Sequence, residues 1–244
     1  MVRNALRFFL RKNDTIICQS FFYYQSRFSD CLKDFFFSIF NFINPIKPFS
    51  IVRSKIEIVN FSIQEKNFLE RTTFSTMIDY DKLPDFVVNI IDIHRKEIEA
   101  FLGKNFLTTK TKLYRTYNFD ESFAKKDIYG NIWHQDSHDG NKLLNIFILT
   151  ADVNENDGPF IYLTRELTKK NWIKLGERNS FSYVDEVNSD IDGQVKFTGK
   201  KGDYLIINTA TCLHRASIPQ SFRDMIQVTL YPNWRKKASR VIYK

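Results

Sequence analysis

The sequence predicts an α+β fold, mainly β: an antiparallel sandwich or barrel buttressed by helices that precede it. Three observations predict it. Helical apolar spacing is concentrated before residue 103. After about residue 111 the pattern changes to short apolar or alternating runs. Turn residues separate those runs. Helices followed by many turn-linked strands belong to this class. The chain has 244 residues, a length that one barrel or sandwich domain commonly reaches. Its 43% hydrophobic and 26% charged residues exclude disorder throughout.

Taken in order, residues 1–50 stand apart as a basic extension. They hold 11 of the 24 Phe, and Pro45 and Pro48 punctuate their end. The expected organisation is this extension, helical in part, then a single domain over 51–244. Within that domain a helical part runs over about 51–110, a barrel over about 111–232 and a basic tail over 233–244. Ser62–Leu69 reads as a short helix with Ser62 as its cap. Leu83-Pro84-Asp85 opens a longer one. There Phe86, Val87, Ile90, Ile91, Ile98, Phe101 and Leu102 keep helical spacing up to a stop at Gly103. Lys112–Tyr117 alternates as a strand, and Leu143–Leu149 is apolar apart from Asn145, a buried strand by length. Asn154–Pro159 is a turn into a strand at Phe160–Leu163. Gln194–Thr198 and Tyr204–Asn208 are further strands around the turn Gly199–Asp203. Ile226, Val228 and Leu230 alternate with Gln227, Thr229 and Tyr231, a half-buried strand.

Charge narrows the function classes. The net charge is +8, but residues 1–50 carry +4 and residues 232–244 carry +5. The middle is left at −1, which speaks against a nucleic-acid groove. The basic ends offer at most a weak contact to an anionic surface. The two longest uncharged stretches near the N-terminus, Thr15–Ser26 and Phe35–Ile46, fall short of the roughly 20 residues of a membrane span. Phe8-Phe9-Leu10 is short for a signal peptide core. Three Cys without close pairing are no disulfide framework and suit a reducing compartment, so a cytoplasmic location is expected.

Chemistry concentrates in the histidines, of which there are four. His94 follows the helical stripe and reads as a satisfied helix residue. His134-Gln135-Asp136 is different, because residues i and i+2 of a strand share a face about 6.6 Å apart. An imidazole and a carboxylate can then converge on one cation. His138 would lie about 13 Å along the same face, too far to join. His214 is the obvious third ligand. Two His and a carboxylate on one side of an octahedral ion match non-haem Fe(II) oxygenases, whereas structural zinc wants four closed ligands. Cys212, two residues before His214, keeps a Cys-containing site open.

From Trp133 to Pro232 the chain resembles the phytanoyl-CoA dioxygenase-like family of Fe(II)/2-oxoglutarate oxygenases. The segments that carry this are Trp133–Asp136, Leu144–Phe160 with its acidic turn and Gly-Pro, Lys201–Ala216 with its Gly-Asp strand and distal His, and Ser221–Arg223. Where that family usually has Pro-Gly-Ser-His, this chain has Leu163–Leu167, a departure that bears on the substrate loop. The resemblance implies a double-stranded β-helix (jelly-roll, cupin-like) barrel. It implies Fe(II) on His134, Asp136 and His214, with 2-oxoglutarate and O2 as cosubstrates and Arg223 on the distal carboxylate. A planar guanidinium fork suits that role. Arg215 competes for it but would point to the opposite strand face from His214. A carboxylate ligand separates this pattern from the related halogenases. The implied reaction is hydroxylation of a small-molecule or carrier- or sugar-linked metabolite, with release of succinate and CO2. Tyr114, Arg115, Tyr117 and Asn118 precede the metal segment and are candidates for the mouth. The alternative is a non-catalytic binding module on the same barrel with a structural metal site.

Overall fold

The computed structural model describes residues 48–59, 61–64, 68, 75–118, 129–131, 133–136, 142–175, 190–233 and 240–242. Nearly all of the Phe-rich extension, most of the basic tail and His138 lie outside the described residues.

Two antiparallel sheets dominate. The elements in chain order are β1 (Val52–Lys55), β2 (Ser75–Tyr80), α1 (Asp85–Ile93), α2 (Arg95–Leu102), β3 (Leu107–Thr109) and β4 (Thr111–Tyr117). They continue with β5 (Leu144–Leu149), β6 (Phe160–Tyr162), α3 (Arg165–Leu175), β7 (Val195–Phe197) and β8 (Asp203–Ile207). The last are β9 (His214–Ala216), β10 (Phe222–Tyr231) and β11 (Arg240–Ile242). The large sheet runs β1-β8-β5-β10-β3-β11, with β4 also on β10 and β2 on β4. The small sheet runs β7-β6-β9.

Strand alternation sorts the core into layers. Ile226, Val228 and Leu230 of β10 and Leu144, Ile146 and Ile148 of β5 face the helices. There they meet Phe86, Val87, Ile90, Ile91 and Ile98 of α1 and α2. Each fully buried Leu or Ile contributes about 1.5–3 kcal/mol by leaving water. Their neighbours Phe147, Leu149 and Met225 face the other way, onto Phe160, Tyr162 and Phe197 of the small sheet. That inter-sheet layer houses the candidate site.

The strands expected at Lys112–Tyr117, Leu143–Leu149, Phe160–Leu163, Gln194–Thr198 and Tyr204–Asn208 are all present within a residue or two. β10 begins at Phe222, four residues earlier than alternation showed, because Arg223 and Asp224 are buried charged residues. Three expectations need correction. The region expected to be helical, about 51–110, also supplies strands β1, β2 and β3; β1 borrows its order from its partner β8. The described part of Ser62–Leu69 is not helical. The long helix breaks at His94, whose φ of −104° and ψ of 15° leave helical geometry. Its Nε2 instead pairs with Tyr204 Oη at 2.8 Å, so His94 is a partnered helix-end residue. Residues 165–175 form helix α3 where the sequence reading saw only a changed loop. Among the described residues, no helix is long and apolar enough to cross a membrane.

Candidate metal centre

The strand expected at His134-Gln135-Asp136 is absent: His134 lies outside the named strands, held only by an isolated antiparallel bridge to His214 at the start of β9, and Asp136 converges with it without strand parity. His134 and His214 exchange both backbone hydrogen bonds, each at 3.0 Å. Such a pair stands directly opposite in the ladder, which puts both imidazoles on one face. Their ring centroids are 4.2 Å apart. Asp136 is tied in by its backbone N–H, which donates to the Thr209 carbonyl at 3.1 Å. Its Oδ1 is 3.9 Å from His134 Nε2 and its Oδ2 is 3.6 Å from His214 Nε2.

These separations exceed hydrogen-bond lengths, so the acid and the imidazoles converge without bonding one another. One potential ligand atom from each of the three lies within 4.8 Å of the others, and together they can hold one metal ion. Both His are buried, at 8% and 4% exposure, and Asp136 is half-buried. His214 Nδ1–H donates to the Cys212 carbonyl at 3.0 Å. That fixes the tautomer and turns the Nε2 lone pair toward Asp136, as a ligand requires. Phe160 packs against the His214 ring, 5.4 Å between centroids.

Cys212 does not join the group. Its thiol sits in the inter-sheet apolar layer, where burial pushes it up to about 12. A neutral, apolar-packed thiol is a poor ligand, since metals bind the thiolate.

Arg223 is buried at 5% exposure. Alternation places it on the same β10 face as Met225, Gln227 and Thr229, which looks toward the small sheet. Its Nη1 donates to the Gly158 carbonyl and its Nη2 to Thr116 Oγ1 at 3.3 Å. Its buried Nε has no partner among the described residues. Burial draws the guanidinium down to about 10, opposed in part by Asp224. It therefore stays charged at neutral pH.

Arg215 points away. It lies over the Trp133 ring at 5.3 Å and donates to Asp190 Oδ1 at 2.9 Å, on the outer side of the small sheet. The mouth candidates divide in the same way. Arg115 faces the helix side of the sheet, in a two-point pair with Asp224, both bonds 2.8 Å, and Asn118 donates to the Gln220 carbonyl. Tyr114 shares the metal side of the sheet: burial raises its phenol, Lys112 lowers it, and Asp136 adds to the rise.

One residue was passed over in the sequence. Asn145, the single polar residue in the buried strand LNIFIL, donates to Asp136 Oδ2 at 3.2 Å. Its signal was its isolation, because a buried polar side chain in an apolar strand must have partners.

No protein-family model matches the chain, and no curated protein matches it. Its resemblance to the phytanoyl-CoA dioxygenase-like family therefore rests on the four quoted segments alone. Among solved structures it is similar to the epimerase SnoN in complex with Fe3+, alpha ketoglutarate and nogalamycin RO. The identity is 13% over 74% of this chain and 72% of that one, with a TM-score of 0.43. It is similar to HygX from Streptomyces hygroscopicus with nickel and 2-oxoglutarate bound, at 14% identity over 72% and 75%, TM-score 0.39. It is also similar to EctD from S. alaskensis in its apoform, at 13% identity over 70% and 62%, TM-score 0.43. A second SnoN structure is spanned over 62% of its length. Likeness at this level does not establish family, substrate or reaction.

Proposed function

We propose that the chain is an Fe(II)/2-oxoglutarate-dependent oxygenase on a jelly-roll barrel of the phytanoyl-CoA dioxygenase-like kind, hydroxylating a small-molecule substrate. The observation that carries this reading is the convergence of His134, Asp136 and His214, with one ligand atom of each within 4.8 Å of the others. Two imidazoles and one carboxylate suit a divalent ion with positions left open for other ligands. Bound there, iron would supply C–H hydroxylation with O2 as the oxidant and 2-oxoglutarate as the co-reductant, one oxygen atom going to the substrate and the other to succinate, with CO2 released.

The chain's own residues do the rest. His134, Asp136 and His214 would hold the ion on one side. The Cys212 carbonyl keeps His214 in its ligating tautomer. Arg223 would grip the distal carboxylate of 2-oxoglutarate. Three features support this role: its buried charge, its Nε without a partner among the described residues, and its place on the β10 face that looks toward the small sheet. Phe147, Phe160 and Met225 line the same layer and exclude water.

The test is anaerobic addition of Fe(II), then 2-oxoglutarate, with the visible charge-transfer band of the chelate as readout. The expected result is a band in wild type, none in His134→Ala, and a higher 2-oxoglutarate requirement in Arg223→Ala. No band in folded, iron-loaded wild type refutes the oxygenase and favours the binding-module alternative.

A further inference from the structure

Asp136 is not on a named strand, so no pleat aims its side chain. Something else must hold its carboxylate against His134 and His214. The structure provides one side chain for this, from the centre of the large sheet.

Asn145 lies on β5, 1% exposed, on the face turned toward the small sheet. Its amide uses its full hydrogen-bonding capacity. Nδ2 donates to Asp136 Oδ2 at 3.2 Å and to Thr209 Oγ1 at 2.7 Å. Oδ1 accepts from Gln227 Nε2 at 3.2 Å and from Thr229 Oγ1 at 2.6 Å. Gln227 and Thr229 both come from β10, and Thr229 stands directly opposite Asn145 in the ladder. Turning the amide over would set its carbonyl against a carboxylate and its NH2 against a donor. The orientation is therefore fixed by four partners, and the N–H that faces Asp136 cannot be exchanged for an oxygen.

Stability alone does not call for such a residue. A buried amide network is at best about as favourable as an apolar side chain of the same shape, and is costly when incomplete. Phe147 and Leu149 show what this face of β5 otherwise carries. Thr209 adds to the same end, since its carbonyl holds the Asp136 backbone N–H while its hydroxyl accepts from Asn145.

We infer that Asn145 is the positioning residue of the metal centre: its amide holds the Asp136 carboxylate by Oδ2 in the orientation that completes the ligand set with His134 and His214. This rests on the reading that those three side chains hold a divalent ion. It does not depend on 2-oxoglutarate or on the substrate. Groups that orient ligands in this way typically change metal affinity 10–100-fold when removed.

The test uses the metal-free full chain titrated with Co(II), whose visible bands report both affinity and ligand geometry. Asn145→Leu keeps the approximate shape and removes the amide. Thr229→Val removes one bond of the network and leaves the contact to Asp136. The expected result is a loss of Co(II) affinity of about 10–100-fold and an altered band in Asn145→Leu, with Thr229→Val within about threefold of wild type. A merely structural role would lower the melting temperature of both variants and leave Co(II) binding alone. Asn145→Leu that binds Co(II) within about threefold of wild type, with the same band, overturns the inference. If Asn145→Leu does not fold, the side-chain amide resonances of Asn145 in wild type are followed during Zn(II) addition. They must shift as the ion binds, and resonances that stay in place overturn the inference. Wild type that binds no Co(II) overturns the metal centre itself, and this inference with it. The two failures are thus told apart by the wild-type titration.

Discussion

Two buried arginines stand close together in the β4–β10 ladder, and removing each should have opposite consequences. Arg115 meets Asp224 through two bonds of 2.8 Å, with side-chain exposures of 11% and 6%. Its guanidinium also lies between the rings of Phe68 and Phe222, at 4.7 and 4.4 Å. Arg115→Met strands a buried carboxylate, and breaking a pair in that way costs about 3–5 kcal/mol. Arg223 is buried just as deeply, and among the described residues its hydrogen bonds go to a carbonyl and a hydroxyl. A guanidinium drawn down to about 10 carries a folding penalty on the order of 3 kcal/mol while charged. Its folded-state value is depressed, so the penalty applies in full below about pH 10 and fades only as pH rises through the ordinary guanidinium range. Arg223→Met removes that penalty but leaves the Gly158 carbonyl and Thr116 hydroxyl without their donor, at about 1–3 kcal/mol. The removed penalty equals or exceeds that cost, so Arg223→Met should range from neutral to about 2 kcal/mol more stable than wild type. Urea unfolding separates the cases. With a slope of about 2–3 kcal/mol per molar, Arg115→Met lowers the midpoint by about 1–2.5 M, and Arg223→Met leaves it unchanged or raises it by up to about 1 M. Arg223→Met should nevertheless lose 2-oxoglutarate binding, the mark of a charge kept for a ligand rather than for the fold. Equal destabilisation by the two substitutions would refute this reasoning, as would Arg223→Met with unchanged cosubstrate binding.

Two further outcomes are expected. Gly158 has φ +67°, and a Cβ there would stand 2.5 Å from the Pro219 backbone nitrogen. Gly158→Ala should therefore cost at least about 1 kcal/mol in urea unfolding and weaken 2-oxoglutarate binding, because the Gly158 carbonyl holds Arg223; an unchanged midpoint would refute it. Cys212, pushed up to about 12 by burial, should resist alkylation at pH 9 in the folded protein and react in urea, as read by mass spectrometry of its peptide. The same raised value makes its thiol contribution to stability complete below the ordinary thiol range and lost as pH climbs toward 12. The slope is about 1.4 kcal/mol per pH unit there, which stability measurements between pH 8 and 11 can follow in wild type against Cys212→Ala.

Much of the strand pattern was legible because it is local. Alternation in Lys112–Tyr117 and Ile226–Tyr231, and the apolar run of β5, are written in consecutive residues. The His-x-Asp spacing and the presence of His214 were legible for the same reason, as was the divergence of Arg215 from His214, which follows from strand parity. β1 and β2 were not, because they are short strands with exposed positions whose order comes from β8 and β4. Alternation did not reach the start of β10, because Arg223 and Asp224 are charged residues in an apolar strand; only the resemblance put Arg223 at the head of the strand that returns past the metal.

The sequence by itself determined which residues are available for chemistry and, along β5, β9 and β10, which strand faces they share. Only the tertiary structure decided that His134 and His214, 80 positions apart, meet as a bridged pair. It alone decided that Cys212 is packed away from the ligands and that Asn145 reaches Asp136. The physical reason is that side-chain parity is set by each strand's own backbone. The meeting of two segments is set by burying apolar faces between sheets, and no local run of residues encodes that.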